Sequence, residues 1–220
     1  MSLQVLEAQT GEHPTASIVF LHGLGADGRD FVPVAEQMDL TSVGAVRYIF
    51  PSAPVMPITI NGGYPMPAWY DILGAQITDQ QDEAGLRRSQ AAIEALIARE
   101  IARGIPARRI VVAGFSQGCA MALMVGLRHS QRLAGVMGLS GYLPLAHTLV
   151  AERSPANADV PIFLAHGRED SVVPLPRATA SRDFLRTLSY DVQWHDYAMD
   201  HSLCAEEIED MRAWLCRVLA

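Results

Sequence analysis

The sequence predicts an α/β fold, a mostly parallel central sheet with helices on both faces. Short apolar, β-branched runs such as Ser17–Leu21, Arg109–Ala113 and Pro161–Ala165 read as strands buried on both faces. Segments of helical period separate them, and parallel strands need such crossovers. A third observation is Gly114-Phe115-Ser116-Gln117-Gly118, a serine between glycines where a strand run meets a helix run. A chain of 220 residues suffices for one sizeable domain, 1–220, and no repeat or linker divides it.

In chain order, Leu3–Gln9 alternates apolar and polar residues and predicts an outer strand. Ser17–Leu21 follows as a buried strand and runs into His22-Gly23-Leu24-Gly25-Ala26-Asp27-Gly28, whose glycines allow a bend with inward N–H groups. Phe31, Val34, Ala35 and Met38 then fall at helical spacing, and Val46–Phe50 is a strand closed by Pro51. From about 51 to 82 the prolines Pro51, Pro54, Pro57, Pro65 and Pro67, with Gly62 and Gly63, argue against regular structure for much of the stretch. Its apolar content marks it as an insertion that walls a pocket rather than a plain connector.

A long helix is predicted from Asp82 to Arg103, ended by Gly104 and Pro106. The strand Arg109–Ala113 and the helix after Gly118 come next, then a strand at Leu133–Leu139. Proline and asparagine predict a loop before the strand Pro161–Ala165. A helix over Pro176–Leu188, a strand over Val192–Tyr197, and a closing amphipathic helix with Ile208, Met211, Leu215 and Val218 on one face complete the chain.

Ligands in such sheets bind beyond the carboxyl ends of the strands. The loops after Leu21, Ala113, Ala165 and Tyr197 leave those ends, and they carry the reactive residues. The turn at Ser116 is a nucleophile elbow, which lifts the hydroxyl clear of the sheet. A serine needs a base to take its proton, and the base needs a carboxylate to hold its tautomer. Asp170 and His201 follow Ser116 in the order acid, then histidine. Glu169 competes as the acid, and Asp196 and Asp200 lie near His201. His166 reads as a structural histidine bonded to nearby backbone, and His129 and His195 as packing residues. The backbone N–H groups of Gln117 and Leu24 are the candidate donors to a tetrahedral oxyanion.

Composition excludes other classes. A net charge of −7 without a Lys/Arg cluster argues against nucleic acid or an anionic membrane surface as a partner. No basic, apolar leader is visible near Met1, and no apolar run approaches the roughly 18 residues of a membrane span. Cys119, Cys204 and Cys216 are an odd count and fit a reducing, cytoplasmic setting. No metal-ligand spacing occurs, and no cofactor is expected. Gly23-x-Gly25-x-x-Gly28 matches a dinucleotide fingerprint as a string and stands as a rival reading.

Several stretches together resemble the carboxylesterase, acyl-protein thioesterase and lysophospholipase group of α/β-hydrolases. They are Leu21-His22-Gly23-Leu24-Gly25, Asn61-Gly62-Gly63 with Ala68-Trp69-Tyr70-Asp71, Gly114–Gly118, His166-Gly167-x-x-Asp170-x-Val172-Val173-Pro174 and His201-Ser202. The resemblance covers nearly the whole chain. It implies the α/β-hydrolase fold, Ser116, Asp170 and His201 as a catalytic triad, Leu24 and Gln117 as oxyanion donors, and an acyl groove lined by the insertion. Asp200 departs from the glycine usual before the histidine, which bears on the local loop and on His201.

The expected activity is hydrolysis of acyl esters or thioesters through an acyl-enzyme, with a non-catalytic binding module of the same fold as the alternative. Met56, Ile60, Met66, Trp69, Leu73 and Val172 are the candidate acyl-chain contacts. The substrate is a small-molecule acyl ester or thioester, a lysophospholipid or an acylated protein, and a homodimer burying part of the insertion is compatible with its apolar content.

Overall fold

The computed structural model describes residues 3–74 and 80–220. Its elements in chain order are β1 (Gln4–Gln9), β2 (Ala16–Leu21), α1 (Val32–Gln37), β3 (Val46–Ser52), β4 (Val55–Ile58), β5 (Tyr64–Pro67) and α2 (Glu83–Ala102). There follow β6 (Ile110–Phe115), α3 (Gln117–Gly126), β7 (Gly135–Leu139), α4 (Ala146–Glu152), β8 (Ile162–Gly167), α5 (Leu175–Thr187), β9 (Val192–Tyr197) and α6 (Ala205–Val218). The 7-stranded sheet has the order β1-β3-β2-β6-β7-β8-β9. Only β1 runs antiparallel, against β3; the other pairings are parallel.

Neighbouring residues of each strand point to opposite faces, so every inner strand feeds two cores. Val19, Leu21, Val112 and Leu164 pack with α2 and α3 on one side. Ile18, Phe20, Val111 and Phe163 pack with α1 and α6 on the other. Both layers need apolar residues, which is why these strands read as continuous apolar runs. α3 is buried along its whole length, and its small, unbranched residues let it lie close to β6 and β7.

The structure departs from the sequence reading in four places. Pro51 lies inside β3 rather than closing it: β2 pairing ends at Val19↔Ile49, leaving one side of β3 unpaired at Pro51, where a missing N–H is tolerated. The proline-rich segment contains a ribbon in which β4 pairs with β5 and Pro57 faces Pro65. Each of these two strands has a free edge, so neither proline interrupts a ladder. α4 occupies part of the stretch expected to be loop; at 7 residues it is too short to show a helical period, and only Leu149 in it is buried. On α6, finally, the burial reaches beyond the expected stripe to Trp214 and Glu207. Trp214 fills the space above Gly135, where a Cβ would lie 2.4 Å from the indole.

Glu207 is fully buried, and among the described residues neither carboxylate oxygen has a hydrogen-bond partner. Burial pushes its carboxyl from 4.5 up to about 8, and the Asp210 charge adds to the shift. Between those values the folded chain keeps a proton that the unfolded chain has lost, so stability falls as pH rises through that window. In urea unfolding at about pH 5 and about pH 8, the loss at this site should be on the order of 2–4 kcal/mol. Glu207→Gln should flatten it. The same pH dependence in both proteins would show that the carboxyl titrates as if solvated.

Candidate active site

β6 ends at Phe115 and α3 begins at Gln117, so Ser116 makes the whole turn, with φ 55° and ψ −115°. This backbone region is costly for a residue with a Cβ, about 1–3 kcal/mol. Ser116 N–H donates to Leu139 O at 2.8 Å, and Ser116 O accepts from Ala120 N–H at 3.2 Å, which holds the turn from both ends. The flanking glycines are there for close approach. A Cβ on Gly114 would lie 2.2 Å from Gly118 O, and one on Gly118 would lie 2.0 Å from Leu21 O.

Three side chains from three loops meet at this turn. His201 Nε2 is 2.9 Å from Ser116 Oγ, and His201 Nδ1 is 2.7 Å from Asp170 Oδ2. The carboxylate accepts on its nearer oxygen, so Nδ1 carries the hydrogen and Nε2 is free to accept from the serine O–H. Asp170 is held in turn: its Oδ1 accepts from the Val172 and Val173 N–H groups at 2.9 and 2.8 Å. Phe115 packs on the His201 ring, centroids 4.8 Å apart.

The competing residues lie elsewhere. Glu169 is exposed, and Asp196 bonds Arg168 and Trp194. His129 and His195 pair with Glu94 and Asp210. His166 Nε2 is 2.7 Å from Val173 O and therefore donates to that carbonyl; burial lowers its pKa, so the ring stays neutral beside Asp170. Asp200 is exposed and its φ is not positive, so this position does not require glycine. The tight approach is met across the loop instead, where a Cβ on Gly167 would lie 2.3 Å from Asp200 O.

The His22–Gly28 loop is shaped by a buried histidine. His22 Nε2 accepts from Ala53 N–H at 2.9 Å, so the ring hydrogen is on Nδ1, which donates to Gly23 O at 2.6 Å. Burial holds the His22 pKa down, which keeps this neutral tautomer. Gly23 C=O and Leu24 N–H belong to one planar peptide and point in opposite directions. Fixing the carbonyl on His22 therefore turns the Leu24 N–H away from it. Gly25 N–H and Ala26 N–H are consumed by Pro67 O and Gly23 O. Among the described residues, the N–H groups of Leu24 and Gln117 have no acceptor within the protein. Gly28 packs on β3, where a Cβ would lie 2.4 Å from Phe50 O, so the glycine pattern serves packing here rather than a phosphate cradle.

A cavity of about 700 Å³ opens over these groups. Ile60, Leu73 and Val172 line it together with Leu24, Ser116, Gln117 and His201. Met56, Met66 and Trp69 are not among the lining residues. Met56 and Met66 face each other across the ribbon. Trp69 is buried beneath the site, its Nε1–H donating to His22 O at 2.9 Å. The Gln117 side chain clamps the same segment, accepting from Trp69 N–H and donating to Tyr70 O. An aromatic in an apolar stretch carries no local sign of whether it faces ligand or core, and long-range hydrogen bonds decided it. Tyr70, within the insertion expected to wall the pocket, lines the cavity, as do Tyr142 and Arg177, which had no such role in the sequence reading. Cys119, close behind the elbow, has its thiol pushed up to about 12 by burial and is no rival nucleophile.

Among the described residues no group of three or more His, Cys, Asp or Glu is placed to hold a metal ion, and no helix is long and apolar enough to cross a membrane.

Comparison with known proteins gives the chain a family. The profile of the Phospholipase/Carboxylesterase family matches residues 4–219. Acyl-protein thioesterase 1 of Yarrowia lipolytica is 41% identical over 206 residues, covering 91% of each chain. Its namesake in Mycosarcoma maydis is 39% identical over 230 residues, covering 98% of this chain and 96% of the relative. The crystal structure of Zea mays acyl-protein thioesterase 2 superposes with a TM-score of 0.89 at 30% identity, covering 99% of both chains. The chain belongs to the phospholipase/carboxylesterase family and is a hydrolase with the α/β-hydrolase fold.

Proposed function

We propose that this hydrolase cleaves acyl esters or thioesters with Ser116 as nucleophile, His201 as base and Asp170 as the acid that orients it. The observation that carries the reading is the chain Ser116 Oγ–His201 Nε2 at 2.9 Å and His201 Nδ1–Asp170 Oδ2 at 2.7 Å, opening into the cavity. Ser116 Oγ attacks the acyl carbonyl carbon as its proton passes to His201 Nε2. The carbonyl oxygen becomes an oxyanion that accepts from the Leu24 and Gln117 N–H groups, each such donor contributing roughly 3–4 kcal/mol. As the intermediate collapses and the C–O or C–S bond breaks, the imidazolium gives its proton to the leaving oxygen or sulfur, which departs as the alcohol or thiol and leaves the acyl group on Ser116. Water repeats the sequence and frees the acid. Throughout, Asp170 holds the Nδ1 proton and offsets the charge formed on His201.

Ile60, Leu73 and Val172 give the cavity an apolar wall suited to an aliphatic acyl chain. The relatives' names support a thioester, with an acylated protein as its carrier; a small acyl ester or lysophospholipid uses the same machinery. Cysteines that are all free support a cytoplasmic setting. Exposed Val55 and Tyr64 on the ribbon are where a second copy would pack in a homodimer. The test is a chain-length series of matched 4-nitrophenyl esters and acyl thioesters, with fluorophosphonate labelling of the protein. Hydrolysis and an adduct on Ser116 are expected. No hydrolysis and no adduct would overturn the reading in favour of a binding module.

A further inference from the structure

The cavity holds a cation that the reaction above does not use. Arg177, in the first turn of α5, lines the cavity and lays its guanidinium over the Tyr142 ring, 3.5 Å from the centroid. Among the described residues its buried Nε–H has no hydrogen-bond partner, and no carboxylate forms an ion pair with it. Three acids line the cavity, Asp30, Asp71 and Asp82, and two of them are engaged by other groups. Asp71 accepts from Thr59 N–H and Oγ1–H, and Asp82 accepts from the Asp71 and Gly85 N–H groups.

A guanidinium offers donors around its edge and no acceptor, and stacking on an aromatic face fixes its orientation while leaving that edge open. The hydroxyls beside it add to the same bias. Tyr70 and Tyr142 Oη are 2.9 Å apart, so one O–H donates to the other and the second O–H is uncommitted. Burial keeps Tyr70 well above its ordinary pKa, so it remains a neutral O–H; the Arg177 charge opposes this only in part. The subsite is also close to the chemistry. Tyr142 follows Gly141, where a Cβ would lie 2.8 Å from Ser116 O.

We propose that Arg177, stacked on Tyr142 and backed by the Tyr70–Tyr142 hydroxyl pair, is an oxyanion subsite, so that the enzyme selects acyl substrates carrying a second anionic group, a carboxylate or a phosphate. The proposal rests on Ser116 being the nucleophile. The anion belongs to the acyl part or to the leaving group, and two substrate pairs separate these sources. The first is 4-nitrophenyl hydrogen glutarate against 4-nitrophenyl methyl glutarate, each kcat/KM divided by the alkaline hydrolysis rate. The second is a monoacylglycerol phosphate against the matching monoacylglycerol.

The anionic member of one pair should be preferred at least about tenfold, as one charge-assisted hydrogen-bonded contact provides. Arg177→Met should remove that preference and Arg177→Lys should keep part of it, each ratio being internal to its own variant. Preference for the neutral member of both pairs, or a preference that survives in Arg177→Met, would overturn the subsite. Glutarate, and inorganic phosphate in parallel, should raise the parent's Tm and leave that of Arg177→Lys less changed. This binding readout stands if the methionine variant does not fold or if the catalytic reading fails. Failure of that reading shows separately, as absence of both hydrolysis and the fluorophosphonate adduct.

Discussion

Replacing Ser116 with alanine should lower kcat for 4-nitrophenyl butyrate by roughly 10⁴–10⁶-fold, the range seen when a triad serine is lost. The physical reason is that Ser116 Oγ lies 2.9 Å from His201 Nε2. Without it no covalent intermediate forms, and the Leu24 and Gln117 N–H groups can assist only a direct attack by water. His201→Ala should cost a similar factor, because an unassisted hydroxyl is a weak nucleophile. The double variant should lose little more than either single one, since residues that act as a unit are not additive. Far-ultraviolet circular dichroism should be unchanged in Ser116→Ala. Activity within tenfold of the parent in either single variant would remove that residue from the reaction.

Gly118→Ala should be the most damaging small substitution near the site. The added Cβ would lie 2.0 Å from Leu21 O and 2.8 Å from His22 O, both backbone atoms. Those atoms end the strand that pairs Leu21 with Gly114, so they cannot retreat without opening the sheet at the elbow. The expected cost is about 3–5 kcal/mol, a fall in Tm of roughly 6–20 °C for a chain of this size. Any folded fraction should also show a reduced kcat, because the clash pushes the N-terminus of α3 from the His22–Gly28 loop and separates the two oxyanion donors. Gly62→Ala is the contrast: φ is +66° there but nothing lies within 4 Å, so only backbone strain of about 1 kcal/mol is added. Thermal unfolding of both variants checks the pair. Equal shifts would mean that the approach at Gly118 is relieved by backbone movement.

Much of the candidate site was legible because its signals are local. Ser116 and Asp170 each follow a strand run whose residues announce burial on both faces, His201 follows the mixed edge run Val192–Tyr197, and parallel strands bring such loops to one edge. The glycines at Gly114 and Gly118 state a close approach without saying to what. The pocket wall was not readable in the same way. Met56, Met66 and Trp69 look as suited to an acyl chain as Ile60 and Leu73 do, because hydrophobicity alone does not say which side of a wall a residue is on. A cross-strand pairing took the two methionines, and a hydrogen bond to His22 O took the tryptophan. Glu207 gave no warning either; it sits one position before Ile208 on a helix whose predicted stripe passes beside it.

By itself, then, the sequence determined the α/β architecture, the elbow serine and the order of its partners, since apolar period and turn chemistry are properties of neighbouring residues. Tertiary structure alone decided which side chains face the cavity, the tautomer of His22 that aims the Leu24 N–H, and the placing of Arg177 on Tyr142. Those features depend on contacts between residues such as His22 and Ala53, or Arg177 and Tyr142, that are distant along the chain. No local pattern encodes such pairs; they exist only once the packing of the sheet and helices has closed around them.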